Sequence, residues 1–167
     1  MKKIFFLIIL ALISFKANAG CDDPIGDGVD YTNCRFSDGQ DLAGSYLPNS
    51  NLSFTSFIQV NFDKSIMMNS ILAFGTFSES SFIRANLYES NLQGANFEQS
   101  NFTSSNLTRA NLSGATLIGA NFKNANLIEA DLTSANILDV NFEGTNLANA
   151  KWVDGRVCSQ ISIGNCK

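Results

Sequence analysis

Four cysteines and no histidine set the chemistry open to this 167-residue chain. A thiol attacks as its thiolate, which an adjacent base usually generates, and the commonest such base is missing. Cys158 and Cys166 therefore do not read as nucleophiles. Clustered cysteines can also hold zinc, but neither Cys21 and Cys34 nor Cys158 and Cys166 have the close CxxC spacing, and no histidine completes a ligand set. Disulfides are the remaining chemistry, provided the compartment is oxidising. The acidic residues Asp22, Asp23, Asp27, Asp30, Asp38 and Asp41 lack EF-hand spacing and read as a solvated acidic cap. No catalytic residue, metal site or cofactor is expected.

The N terminus supplies the oxidising compartment. Lys2 and Lys3 precede an unbroken apolar run, Ile4–Ile13, and Ala17-Asn18-Ala19 places small residues at both positions of a cleavage site. Residues 1–19 thus read as a secretory signal cleaved after Ala19, which sends the mature chain to the periplasm or beyond the cell. The run is too short to cross a bilayer, and Lys16 ends it. Lipidation at Cys21 is the competing outcome and the one route to a membrane. Against it, Asn18-Ala19-Gly20 lacks the leucine-like residue of a lipobox.

Without Lys2, Lys3 and Lys16, eight basic residues face fifteen acidic ones, a net charge of −7. Nothing basic is clustered, so nucleic-acid phosphates are not an expected partner.

The elements that must position these groups follow from a period of five. From Leu42, every fifth residue to Trp152 is large and apolar, twenty-three centres without a break. Twelve are Leu and eight Phe, with Met67, Ile137 and Trp152 completing the set. Two residues before each centre, twenty of twenty-three are Ala, Ser, Thr or Gly, the exceptions being Gln40, Val60 and Val140. Immediately before the centre, fifteen are Asn or Asp. Five steps of a helix rotate about 140°, which scatters the centres around the axis, and in a strand an odd step alternates faces. A chain that turns a corner every five residues satisfies the pattern, with one large and one small residue inward per side. Asn or Asp then supports the turn. The Asn-X-Ser/Thr triplets at Asn51, Asn101, Asn106 and Asn111 are by-products of this repeat.

Stretches such as SNLTRANLSGATLIGANFKNANLIEADLTSANIL resemble the pentapeptide-repeat signature Ala-(Asp/Asn)-Leu-X-X, and the resemblance covers residues 40–154. It implies an all-β fold, a right-handed quadrilateral β-helix with four pentapeptides per coil. The flanks, GVDYTNC and KWVDGRVCSQISIGNC, also look like the ends of exported members. The phenylalanines test the coil length. In steps of twenty the centres sort into four columns, and all eight Phe fall in two adjacent ones: Phe62, Phe82, Phe102, Phe122, Phe142, and Phe57, Phe77, Phe97. Stacking like on like keeps each layer's cross-section constant. Residues 40–154 then make about 5.75 coils, roughly 28 Å long. Residues 20–39 and 155–167 cap the two ends. Those ends are too far apart for a disulfide, which needs Cα atoms within about 7 Å. Of three connectivities, Cys21–Cys34 with Cys158–Cys166 is expected.

Function then rests on the outer faces. One expectation is an exported, non-enzymatic scaffold binding an unidentified protein or envelope component, self-association included. The alternative resembles the family's topoisomerase-interacting members, acidic rods that imitate duplex DNA and protect or inhibit gyrase. Export and the sparse, mixed outward charge (Arg84, Arg109, Lys123) favour the scaffold. Across residues 46–88 the outward set includes Tyr46, Phe54, Ile58, Ile66, Met68, Ile71, Phe74, Ile83 and Tyr88. Phe54 and Phe74 lie one coil apart, with Gly94 and Gly114 continuing their column, and Met68 and Tyr88 form a second such pair. Exposed apolar patches mark contact sites, so Phe54, Ile66, Met68, Ile71, Phe74 and Tyr88 are the candidate partner-binding residues. An N-terminal cap folded over them is the other explanation. Ile118 and Leu138 are a smaller second candidate.

Overall fold

Each pentad folds into the same short unit. The computed structural model describes Cys21 and residues 23–167; the leader over residues 1–19, the expected mature start at Gly20, and Asp22 lie outside the described residues. From Asp41 to Asp131, the residue before each centre bridges in parallel to the one twenty positions on, as in Asn61 with Ser81, Asn101 with Asn121 and Asn126 with Asn146. The centre's amide donates to the next coil (Phe102 N–H to Asn121 O, 2.7 Å), and Asn121 N–H returns to Ser100 O at 2.9 Å. The corner closes when the small residue donates back, as Ser105 N–H does to Phe102 O at 3.1 Å. Four such sides per twenty residues make a four-sided β-solenoid, with no helix among the described residues.

The corner has a fixed backbone requirement. The second residue after every centre from Gly44 to Asn149 has positive φ, for example Ser104 at 58°, Arg109 at 59° and Asn124 at 57°. Glycine adopts this region freely, whereas a side chain costs about 1–2 kcal/mol there. The Asn or Asp before the centre offsets part of that cost. Its side-chain oxygen accepts the N–H of the first corner residue, as Asn101 Oδ1 does from Thr103 N–H at 3.0 Å.

The interior is a packed column of side chains. Leu52, Phe62, Phe82, Phe102, Leu107 and Leu127 are fully buried. Phe rings stack on the coil above at 4.8 Å (Phe82 on Phe102) and 4.7 Å (Phe102 on Phe122), and meet the neighbouring column edge-on, as Phe97 does Phe102 at 5.2 Å. Offset-stacked and edge-to-face pairs are the favoured aromatic geometries. Inward serines return their hydroxyls to backbone carbonyls, Ser90 to Leu87 O at 2.6 Å and Ser100 to Phe77 O at 2.7 Å, which makes them tolerable in a dry interior. Ser45 and Ser65 hydroxyls have no such partner.

The ends depart from the period. Bridging starts at Asp30, earlier than residue 40, because Tyr31 and Phe36 already act as centres. Asp30 pairs with Asn51 and Arg35 with Ser56, a step of twenty-one; from Asp41 to Asn61 the step becomes twenty. One extra residue therefore sits between Phe36 and Leu42. Phe36 stacks on Phe57 at 4.1 Å, and buried Tyr31 donates its hydroxyl to Asp23 O at 2.5 Å. Burial, then the nearby Asp23 charge, pushes the Tyr31 hydroxyl's pKa up. At the other end the chain reverses and runs antiparallel over the last coil, Val157 against Lys151 and Ile163 against Asn146.

Candidate interaction surface

Column by column, the early coils turn apolar groups outward on two adjacent sides. Ile66 follows Tyr46 on one side, and Ile71 lies on the next; all three are exposed. Met68 and Tyr88 occupy the corner between those sides and are half-buried. At the following corner Phe54 and Phe74 stack at 5.4 Å, their planes within 15°. They remain 56% and 53% exposed, so stacking on each other does not remove them from water. Ile58 and Ile83 are half-buried.

Phe54 and Phe74 also occupy left-handed backbone, φ 57° and 58°. Sequence reasoning placed them outward but did not register this cost, whose signal was the repeat position they share with Gly94 and Gly114. Above them Gly94 leaves room: a Cβ there would meet the Phe74 ring at 2.6 Å.

The structure also shows what surrounds these residues. The described part of the N-terminal segment crosses a different place, with Gly28 N–H on Pro48 O at 2.9 Å and Asn49 Nδ2 on Asp27 Oδ1 at 2.9 Å. Pro48 is buried there, while Phe54, Phe74, Ile66 and Ile71 stay open. One coil above Tyr88, Arg109 donates to Tyr88 Oη (3.2 Å), Glu89 (3.3 Å) and Glu129 (2.8 Å). Hydrogen bonds to Glu129 and Glu89 raise the guanidinium pKa further above its ordinary value. Other cations sit one coil from an acid in the same way: Lys123 with Glu143 at 2.8 Å and Lys151 with Asp131 at 3.1 Å.

Two of the acidic residues near the N terminus, Asp30 and Asp41, serve turns. Asp30 Oδ1 accepts from Thr32 N–H, and Asp41 Oδ1 accepts from Ala43 N–H and Asn61 Nδ2. Cys21 is bonded to Cys34 (Cα–Cα 5.5 Å) and Cys158 to Cys166 (4.9 Å). Cys34 fills the small inward position before Phe36, so the first bridge ties the base of the stack to its core. An open cleft of about 570 Å³ near Cys21, Arg35 and Asp38 is lined by none of the six apolar candidates.

This solenoid of pentads, bridged every twenty residues, defines a class of β-helical repeat protein. The chain belongs to the pentapeptide-repeat family: the model for pentapeptide repeats (8 copies) matches residues 41–72 and that for the pentapeptide repeat region matches residues 75–152. No curated protein sequence matches it. Among solved structures it is similar to a trypsin-treated variant of QnrB1, a plasmid-mediated fluoroquinolone resistance protein. That match has 24% identity and TM-score 0.69, over 74% of this chain and 63% of that one. A second trypsin-treated QnrB1 variant matches at 19% identity and TM-score 0.60, over 75% of this chain and 70% of that one. Full-length QnrB1 matches at 18% identity and TM-score 0.56, over 83% of this chain and 84% of that one. The chain spans less than two thirds of the length of the first of these. The likeness is one of fold and implies the right-handed quadrilateral β-helix.

Proposed function

We propose that this chain is an exported scaffold that works by binding, and that its partner is a protein or envelope component docking on the sides bearing Ile66, Ile71, Phe54 and Phe74. The observation that carries this reading is the exposed, stacked Phe54–Phe74 pair, held in a backbone conformation that disfavours large side chains. Apolar groups that cost backbone energy and stay half exposed after stacking on each other call for a contact outside the chain. The packed interior leaves the outer surface to act. The leader pattern and the two disulfides support an oxidising compartment, and intact-mass measurement of the exported protein checks it: the expected chain begins at Gly20, without a lipid on Cys21.

The alternative, mimicry of duplex DNA toward a topoisomerase, is supported by the fold shared with QnrB1 and by the net negative charge. Against it, duplex DNA carries one charge per about 1.7 Å of axis. Here the acids are spread over four sides and interleaved with Arg109, Lys123 and Lys151.

The test is Phe54→Ser with Phe74→Ser, comparing melting temperature, oligomeric state and cross-linked envelope partners with the parent. Loss of association at nearly unchanged stability is expected. Unchanged association with a large loss of stability would show that these rings serve the fold.

A further inference from the structure

The C-terminal cap covers only part of the last coil. It runs antiparallel over the sides carrying Lys151 and Asn146, and Gly164 N–H ends that run on Thr145 O at 2.8 Å. On the two remaining sides, residues 135–142, no backbone above makes a hydrogen bond among the described residues, although the Trp152 ring lies 5.4 Å from that of Phe142 and Gly164 closes on the Phe142 carbonyl. In every lower coil the corresponding groups are paired: Leu117, Gly119 and Phe122 donate to Asn136, Leu138 and Asn141 carbonyls at 2.9, 2.9 and 2.8 Å. One coil up, the N–H groups of Ile137, Asp139 and Phe142 and the carbonyls of Ala135 and Val140 make no hydrogen bond among the described residues. Apolar side chains open with them. Ile137, Val140 and Phe142 are only partly buried, and Leu138 is 59% exposed above Ile118.

The result is a step one strand layer deep, with the cap as its riser and an unpaired sheet edge as its tread. We infer that this edge takes up an extended peptide segment of a partner, of alternating apolar and basic character, by strand addition. The groups at residues 135 and 137 on one side, and at 139, 140 and 142 around the next, are those an incoming backbone completes when it bends with the coil at the Leu138–Asp139 corner, and one layer of chain fills the step. Charge selects the occupant. Asp139 makes no ion pair among the described residues, whereas Glu143 is paired to Lys123 and Asp154 to Arg156, so the free charge at the edge is negative. A second copy brought edge to edge by a two-fold axis at Asn141 would set Asp139 of each copy against Glu143 of the other, and opposed like charges disfavour strand pairing.

The experiment is hydrogen exchange on the full exported chain, with and without an acetylated ten-residue Lys/Val alternating peptide. In the free protein the Ile137, Asp139 and Phe142 amides should exchange on the order of a hundredfold faster than those of Leu117, Gly119 and Phe122. The peptide should slow those three. An analogue N-methylated at alternate residues, or a Glu/Val peptide, should not. Asp139→Lys should weaken the Lys/Val peptide about two- to fivefold, the range of an exposed ion pair, and reverse the preference toward Glu/Val. Three amides already as slow as their lower-coil equivalents would overturn the proposal, as would peptide binding that leaves them unchanged. Slowing that depends on protein concentration without peptide, together with a dimer mass, would assign the edge to a second copy and overturn it equally.

Discussion

In the coils built from residues 46–85, only Asn51 and Asn61 of the eight positions before a centre are Asn or Asp, the others being Tyr46, Ser56, Ile66, Ile71, Thr76 and Ser81; from Asn86 to Asn146 the position holds Asn or Asp at every step but Thr116. The late coils accordingly show an unbroken series of side-chain turn bonds, from Asn86 to Tyr88 N–H through Asn146 to Ala148 N–H, interrupted only at Thr116. The early coils improvise. Ser81 does not accept from Ile83 N–H, and Asp63, one coil below, supplies the acceptor at 2.9 Å. The cores nevertheless match: Phe62, Met67 and Leu72 are as buried as Phe102, Leu107 and Leu112. At the sides that lack Asn, the large-and-small inward code thus forms the same packed interior without the turn bond. The Asn ladder adds local support that can be withdrawn where the outside has other work.

The sharpest way to break that comparison is to cut the core in each half. Phe62→Ala and Phe102→Ala should both cost about 3–5 kcal/mol, because stacked neighbours cannot collapse into the void. Thr103→Ala should be nearly silent. Thermal melts showing the early variant far less costly would mean the early interior is not equivalent.

At the boundary between the halves, Gly94→Ala should cost about 1–2 kcal/mol from its left-handed backbone (φ 63°) and displace the Phe74 ring. A melt and a loss of partner association together would read both effects. Smaller still is the exchange of outward residues. Ile71→Asn offers Ala73 N–H the acceptor it lacks and should stabilise by about 0.5–1.5 kcal/mol, while Asn111→Ile should cost about as much. Denaturant titration of the pair decides whether the ladder is worth the same in both halves.

The smallest effect concerns Asp131. Burial works to raise its pKa, but hydrogen bonds from Thr133 and Lys151 outweigh it and hold the carboxyl below its ordinary value. A lowered carboxylate pKa stabilises the fold above the unfolded value, and that contribution fades as pH falls through the folded one. Asp131→Asn keeps the turn acceptor and loses an exposed ion pair, so at pH 7 it should change stability by less than about 0.5 kcal/mol. Its difference from the parent should shrink further below pH 3.8. A difference that grows in acid would reverse the sign argued here.

Much of the fold was legible because the large inward centres repeat without exception from Leu42 to Trp152, and the Phe columns fixed the coil at four pentads. The Phe54 and Phe74 stack was legible from their twenty-residue separation. Three things were not. Tyr31 and Phe36 are five apart and fit the pattern, but the six-residue step to Leu42 hides them from a strict period. The cap's antiparallel run, with Val157, Ile161 and Ile163 exposed, follows no repeat, so only tertiary packing places it. The left-handed backbone at Phe54 and Phe74 is a property of the corner, visible only once the corner is built.

That six-residue step bears on how such a chain counts. A sequence that repeats every twenty residues can slide by a whole coil and still find large residues opposite large and small opposite small, so the wrong winding differs from the right one mainly at its ends. The extra residue between Phe36 and Leu42 spoils this freedom at one place. Only the layer above it accepts a twenty-one-residue offset, and the Cys21–Cys34 bridge pins the segment that carries it. Like the pin at the foot of a zip, it gives the first coil a single correct neighbour, and each later coil then inherits its place from the one beneath.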